Sequence, residues 1–188
     1  GHGAYTSSHF CHSQQTRRSG RAGRLARMFA PTAVSGSKPE VYASLAEQAR
    51  GLLAGERDRI ANAANFAALV FNGLPELNWA GFYFFDGTEL VVGPFQGLPA
   101  CVRIPIGRGV CGTAAVTRAT QVVPDVHAFP GHIACDAASR SEIVVPLVAD
   151  DGTLLGVFDI DSPRPSRFDD DDRSGIEALC AVYMESLR

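Results

Sequence analysis

The sequence predicts an α+β domain in which a mainly antiparallel sheet of about six strands is flanked by N- and C-terminal helices. Two observations support this fold class. Apolar residues recur at helical spacing near both ends of the chain, and short alternating apolar runs separated by turn sequences fill the middle. A chain of 188 residues can bury one sizeable core. Because no apolar run reaches the length of a membrane span, we expect no membrane partner.

Helices are predicted at residues 41–54 and 57–71, where apolar side chains form one stripe per helix. Near the C-terminus, four successive aspartates follow Phe168 and precede another apolar stripe. Acidic residues suit a helix N-terminus, so we expect these aspartates to cap the helix and to be solvated. Cys180 lies beside the stripe and is expected to be a packed structural thiol.

The strands are predicted from alternation and from the turns between them. Asp-Gly and Asp-Asp-Gly sequences indicate two hairpins. The predicted strands are residues 79–86, 89–95, 102–106, 120–123, 141–149 and 154–161, with a short helix at 110–118. Residues 124–140 show no periodic pattern, and a loop of this length in a small domain is usually functional.

Charge divides the chain into two parts. Residues 1–39 contain no acidic residue but six of the 17 basic ones, which leaves 11 basic residues against all 20 acidic residues in the remainder. An acidic domain repels phosphate, so we expect no nucleic-acid partner. We therefore predict a disordered basic leader or upstream sequence at 1–39 and one domain at 40–188.

Three explanations compete for the leader. Its Arg- and Ser-rich, acid-free composition resembles a mitochondrial transit peptide, and it also suits a tail that binds an acidic partner. The explanation we favour is that the natural start lies near Met28 and that the preceding residues, which open with a Gly-His-Gly like a cloning remnant, are extra.

Three of the five cysteines, Cys101, Cys111 and Cys135, fall within 35 residues together with His127 and His132. These residue types allow thiol redox chemistry, a metal site made by the three cysteines and His132, or simple packing of small apolar side chains. The spacing argues against the metal site because no CxxC pair is present. Redox chemistry is favoured, and we predict no metal.

Local context alone nominates Cys111 as the activated thiol. It follows Gly-Val at the start of a predicted helix, where unpaired N–H groups and the helix dipole lower a thiol pKa. Cys135 lies in the long loop, where a thiol is accessible, and Cys101 precedes a short strand. The sequence does not rank the three thiols by pKa.

Three carboxylates are expected to lie close together. Asp159 and Asp161 are two residues apart at the end of one strand, so they share a face, and Glu142 begins the strand paired with it. The simpler interpretation is that these are solvated strand ends. The functional interpretation is that crowded carboxylates hold a substrate ammonium group and that one of them, with a raised pKa, protonates a substrate oxygen.

Four segments carry a family resemblance: NWAGFYFF, GPFQGLPACVRIPIGRGVCGTA, VVPDVHAFPGHIACDAASRSEIVVP and GVFDIDS. They resemble the free methionine-(R)-sulfoxide reductases, a catalytic branch of the GAF-domain fold, and the similarity runs from about Val41 to the C-terminus. The resemblance implies that Cys135 is the nucleophile, Cys101 the main resolving thiol and Cys111 a second thiol able to form a disulfide. It therefore overrides the nomination of Cys111.

The same resemblance gives roles to two aromatic residues. Trp79 and Tyr83 sit four apart and face one side of their strand, where core packing is the default for aromatic residues. An aromatic wall also suits a sulfur-bearing group, and in the family these positions shape the pocket for the methyl sulfoxide.

The resemblance implies reduction of free methionine-(R)-sulfoxide to methionine, with no bound cofactor and with thioredoxin or another dithiol as reductant. It implies a homodimer, and a catalytic disulfide suits the reducing cytoplasm. The loop 124–140 is expected to hold the substrate carboxylate through backbone N–H groups. The alternatives are a GAF-type sensor that binds a small molecule without chemistry and a zinc-stabilised interaction domain.

Overall fold

The structure is a computed structural model that describes residues 32, 35–131 and 136–188. In these ranges the chain forms four α-helices, six strands and one short 3-10 helix at Val126–Ala128. In chain order the α-helices and strands are α1 (Lys38–Leu53), α2 (Arg59–Gly73), β1 (Trp79–Phe85), β2 (Glu89–Gly97), β3 (Arg103–Pro105), α3 (Gly109–Thr117), β4 (Gln121–Val123), β5 (Ser141–Val148), β6 (Leu154–Ser162) and α4 (Asp170–Ser186). The predicted order and type of these elements are confirmed.

The six strands form one sheet in the order β3-β2-β1-β6-β5-β4. Every neighbouring pair is antiparallel, which agrees with the prediction of a mainly antiparallel sheet. The hairpins β1–β2 and β5–β6 meet along the centre of the sheet, where β1 pairs with β6. Strands β1 and β6 are therefore central and carry side chains that are covered on both faces.

One face of the sheet packs against α1, α2 and α4 to form the main apolar core. Its centre is an aromatic cluster. The centroid of the Phe82 ring lies 4.7 Å from that of Phe158 and 4.6 Å from that of Tyr183, and the centroids of Phe66 and Phe158 are 5.0 Å apart. Contacts of this kind add to the free energy that apolar burial itself provides. This face anchors β1 and β6, which present the site on their other side.

Helices α2 and α4 begin where an aspartate side chain accepts hydrogen bonds from the first backbone N–H groups. Asp58 accepts from Ile60 and Ala61 at the start of α2, and Asp169 accepts from the backbone N–H of Asp172 at the start of α4. Capping by an aspartate at α4 is thus confirmed.

Asp172 is not solvated, which corrects the expectation from the sequence. Its side chain is only 1% exposed. Lys38 of α1 and Arg167 both form ion pairs with it, and the Tyr42 hydroxyl donates to it at 2.7 Å. These contacts tie α1 to the start of α4. The sequence argument missed them because Lys38 is 134 residues away in the chain.

The other face of the sheet is covered by α3 and by the segment between β2 and α3, which form a second apolar cluster. A Cβ on Gly112 would collide with the carbonyl oxygen of Pro105, so glycine allows α3 to pack directly against that segment. No helix in the described ranges is long and apolar enough to cross a membrane.

Candidate active site

A pocket lies on this second face, between the centre of the sheet, α3 and the segment 98–100. Its floor is formed by side chains of β1, β5 and β6, and one wall by the first turn of α3. The described residues that line it are Trp79, Tyr83, Leu98, Pro99, Ala100, Ile104, Gly109, Val110, Cys111, Asp136, Ser139, Glu142, Asp159 and Asp161. All three carboxylates singled out in the sequence therefore reach one cavity.

Strand register places the acids together. Glu142 on β5 lies directly opposite Asp161 on β6, and Asp161 in turn lies opposite Trp79 on β1. Asp159 precedes Asp161 by two residues on β6, so the two side chains lie on the same face of the strand. Glu142 and Asp159 are buried, at 5% and 6% exposure, so the interpretation as solvated strand ends is wrong.

Burial of the acids changes their protonation. It raises the pKa of Glu142, Asp159 and Asp161, and the carboxylates of Asp159 and Asp161 add repulsion that raises the pKa of Glu142 further. Within the described part of the chain, Asp159 Oδ1 has no hydrogen-bond partner, and no Lys, Arg or His lines the pocket. The arrangement can hold a cation and can also donate a proton.

Cys111 occupies the first turn of α3, as predicted, but its pKa is shifted in the opposite direction. The thiol is buried, and burial together with the nearby Asp159 and Glu142 carboxylates raises the pKa of Cys111. Its Sγ lies 3.9 Å from Glu142 Oε1. The expectation of an activated thiol is therefore wrong, because desolvation and like charge outweigh the helix dipole here.

An aromatic wall closes one side of the pocket. The Trp79 ring stacks between Tyr83 and Phe95, with centroid distances of 5.7 and 5.2 Å. Gly81 makes room for it, because a Cβ there would lie 2.7 Å from the indole. Trp79 and Tyr83 share a face as predicted, and Phe95 is an additional member that the sequence argument missed.

The segment that carries Cys101 roofs the pocket. Trp79 Nε1 donates to the carbonyl of Leu98 at 3.2 Å, which fixes this segment to the aromatic wall. Cys101 is half-buried and disulfide-bonded, whereas Cys111 and Cys180 are free thiols. Cys180 is buried in α4, and burial raises its pKa, as expected of a packed thiol.

Asn78, just before β1, holds the far end of the loop that carries Cys135. Its Nδ2 donates to Asp136 Oδ2 at 2.8 Å and to Ser139 Oγ at 2.9 Å, while its backbone N–H donates to the carbonyl of Asp161. None of these three side chains stood out in the sequence. The only signal was that Asn78 and Asp136 lie within the segments that carry the resemblance.

Two predicted residues lie outside the described ranges, namely Cys135 and His132. The proposed four-ligand metal set of Cys101, Cys111, His132 and Cys135 is not available as free ligands, because Cys101 is disulfide-bonded. A different set is brought together instead: ligand atoms of Cys111, Glu142 and Asp159 lie within 4.8 Å of one another.

The fold and the pocket define a class of ligand-binding α+β domain, and comparison with known proteins identifies it. The GAF domain model matches residues 40–187. A free methionine-R-sulfoxide reductase of Escherichia coli is 52% identical over 151 residues, which cover 80% of this chain and 91% of that protein. The chain belongs to the GAF domain family, and within it to the free methionine-R-sulfoxide reductases.

Solved structures agree with this membership. A candidate GAF sensor protein from Burkholderia vietnamiensis is 76% identical, with a TM-score of 0.78 over 80% of this chain and 95% of that chain. A free methionine-R-sulfoxide reductase from Neisseria meningitidis, solved with its substrate, is 42% identical, with a TM-score of 0.81 over 85% and 96%.

Proposed function

We propose that this protein reduces free methionine-(R)-sulfoxide to methionine. The observation that carries the proposal is the cluster of buried Glu142 and Asp159 with half-buried Asp161 beneath the aromatic wall, in a cavity roofed by the segment that leads to Cys101. The similarity to free methionine-R-sulfoxide reductases supports it. The R epimer is inherited from those relatives.

The two halves of the pocket suit the two ends of this substrate. The faces of Trp79 and Tyr83 favour a sulfur-bearing methyl group. The carboxylates would bind the ammonium group, which a peptide-bound methionine lacks, and the loop 124–140 would offer N–H groups to the substrate carboxylate. Recognition of both charged ends explains why a free amino acid would be accepted and a protein chain refused.

The reaction uses two thiols, Cys135 and Cys101, in two successive steps. The Cys135 thiolate attacks the sulfoxide sulfur, and Glu142, Asp159 or Asp161 protonates the sulfoxide oxygen. The S–O bond of the substrate then breaks as the hydroxyl is transferred to the Cys135 sulfur, which releases methionine and leaves a sulfenic acid on Cys135. The Cys101 thiol then attacks the Cys135 sulfur and releases water. Two thiols are thereby oxidised to one disulfide while the sulfoxide is reduced.

Thioredoxin or another dithiol would reduce this disulfide by thiol exchange. Cys101 is half-buried and flanked by Leu98 and Val102, which are 63% and 64% exposed, so a partner can approach it. We propose Cys111 as a second thiol that can exchange with the pair. No bound cofactor takes part in this scheme.

Three further proposals rest on the family resemblance and on the composition of the sequence. We propose a homodimer formed through helices, a cytoplasmic location in keeping with catalytic disulfides, and a basic leader at 1–39 outside the catalytic domain at 40–188. Size-exclusion chromatography with light scattering tests the dimer, and removal of the leader should leave turnover unchanged.

The alternative is a GAF-type sensor that binds a small molecule without chemistry, which the description of the Burkholderia protein favours. A sensor keeps its ligand affinity when Cys135 is replaced and shows no turnover.

The deciding experiment is NADPH consumption coupled through thioredoxin, with the free R epimer, the free S epimer and an N-acetylated sulfoxide supplied separately. We expect turnover of the free R form alone, lost in Cys135→Ser and retained in Cys180→Ser. Absence of turnover with every form, from fully reduced wild-type protein, would reject the proposal in favour of the sensor. A parallel assay with dithiothreitol separates loss of chemistry from loss of recycling.

A further inference from the structure

The cluster formed by Cys111, Glu142 and Asp159 combines one thiol with two carboxyl groups. Their ligand atoms lie within 4.8 Å of one another, with Cys111 Sγ 3.9 Å from Glu142 Oε1. All three residues are more than nine-tenths buried. Zinc bound to sulfur at about 2.3 Å and to oxygen at about 2.1 Å separates its ligand atoms by roughly 3.6 Å, so a small contraction would complete the geometry.

A second observation points to a ligand at this place. Asp159 is only 6% exposed, yet its Oδ1 has no hydrogen-bond partner among the described residues. Leaving such an oxygen unsatisfied is costly. No basic side chain in the described ranges lines the cavity, so a cation from outside the protein can supply the missing partner.

The size of the cavity suits a single ion. Its volume is about 30 Å³, and a single water occupies about 10–15 Å³ on this measure. The cavity therefore accommodates one ion and one water as it stands.

We propose that the Cys111–Glu142–Asp159 cluster binds one soft divalent cation, with Zn²⁺ as the probe, in the disulfide-bonded form of the protein. The thiol gives up its proton and becomes a soft thiolate ligand, while the two carboxylates and one water complete a tetrahedral set. Hard cations such as Mg²⁺ prefer oxygen ligands alone and should bind poorly. The ion neutralises the charge that the substrate ammonium would otherwise meet, so the two should exclude each other, a consequence that rests on the proposed function.

Binding is tested on the oxidised, metal-free protein in which Cys11 is replaced by serine. Equilibrium dialysis should find one Zn²⁺ per chain, and Cd²⁺ should produce a thiolate charge-transfer absorption in the ultraviolet. We expect Cys111→Ser to abolish that absorption and to weaken Zn²⁺ binding at least tenfold. Cys180→Ser, which changes the other buried free thiol in α4, is the matched control and should leave both unchanged.

The proposal is overturned if oxidised protein takes up no Zn²⁺ at micromolar concentration, or if the Cys111→Ser variant, shown to be folded by circular dichroism, binds Zn²⁺ as well as the control. Asp159→Asn supplies an independent check and should also weaken Zn²⁺ binding at least tenfold. An unchanged affinity in this variant would equally contradict the proposed ligand set.

Exclusion of the substrate is tested on the same oxidised protein, in which the proposed Cys101–Cys135 disulfide leaves no nucleophile to reduce the ligand. Free methionine-(R)-sulfoxide should displace Zn²⁺ from it. Zn²⁺ binding that the sulfoxide does not affect would count against the proposed substrate while supporting the metal site. The two proposals can therefore fail separately.

Discussion

Carboxylates are buried in two regions of the molecule, one with cationic partners and one without any among the described residues. At the start of α4, Asp172 is enclosed by Lys38, Arg167 and the Tyr42 hydroxyl, so its charge is matched. In the pocket, Glu142 and Asp159 are almost as buried but meet another acid and a thiol, and no described cation lines the cavity.

The difference separates an acid that supports the fold from acids that serve a ligand. A buried charge with partners already has its compensation, and removing one partner leaves the others uncompensated. Buried acids without a cationic partner bind protons, because the neutral form avoids the free-energy cost of a buried charge. Such acids can donate those protons or bind a cationic ligand. Four variants test this contrast, from the largest expected effect to the smallest.

Glu142→Gln should show the largest effect, and it should appear in activity. The amide keeps the shape of the side chain but neither binds an ammonium group as tightly nor donates a carboxylic proton. We expect kcat/KM to fall about 10²–10⁴-fold, the usual contribution of a general acid. Glu89→Gln, at a surface acid of β2 that pairs with Arg103, is the control and should stay near wild type. Equal losses in the two variants would contradict a special role for Glu142.

Asp172→Asn should instead reduce stability. It leaves Arg167, which is 7% exposed, facing a neutral amide, whereas Lys38 is 38% exposed and keeps Asp169 as a partner. We therefore expect a loss of about 3 kcal/mol in the free energy of unfolding, the lower end of the range for a broken buried pair. Asp170→Asn, in the same helical turn but exposed, should cost less than about 1 kcal/mol. Urea denaturation measures both. A loss of activity in Asp172→Asn without a loss of stability would break the comparison.

Asp159→Asn should raise stability in a pH-dependent way. Burial raises the pKa of Asp159 from 3.8 to about 7, so between these values the folded protein keeps a proton that the unfolded chain has released. The contribution of Asp159 to wild-type stability should therefore decrease as pH rises from about 4 to about 7, and the variant lacks this contribution while it keeps those of Glu142 and Asp161. The gain at pH 8 should be on the order of 1–4 kcal/mol.

Denaturation at pH 5 and pH 8 checks this sign. Asp151→Asn in the β5–β6 turn is the control, because its carboxylate is exposed and backbone hydrogen bonds lower its pKa. If the free energy of unfolding depends on pH in the same way in wild type and in Asp159→Asn, burial does not keep Asp159 protonated.

Asn78→Ala should give the smallest effect, and it should appear in kcat. The variant loses the two hydrogen bonds that hold Asp136 and Ser139, beside the loop of Cys135. We expect about a tenfold decrease, because each such bond contributes about 1 kcal/mol. The pH profile of Cys135 alkylation distinguishes loss of loop positioning from general destabilisation. Asn72→Ala, on the exposed end of α2, is the control. An alkylation profile identical to wild type would reject the positioning role.

The elements and the meeting of the three acids could be predicted because both depend on local pattern. A hairpin between β5 and β6 brings the start of one strand beside the end of the next, so Glu142 had to lie near Asp161. The aromatic face followed from the two-residue period of a strand in the same way.

What could not be predicted depends on contacts between distant parts of the chain. The pKa of Cys111 is set by strands β5 and β6 that lie over it, which outweigh its own helix. Asp172 is paired by Lys38 across 134 residues, and Asn78 reaches Asp136 across 58. None of these pairings leaves a periodic signal, and the charge of a residue alone does not tell whether it will be solvated.

Trp79 is the only tryptophan in the sequence, and it lies in the wall of the pocket with its indole N–H bound to the roof. The tryptophan fluorescence of the protein therefore arises from a single place. Its emission should respond to a ligand against the ring, to the protonation of Asp161 on the neighbouring strand, and to any displacement of the segment that leads to Cys101. The protein thus carries a built-in optical probe through which binding and oxidation can be followed in real time without a label.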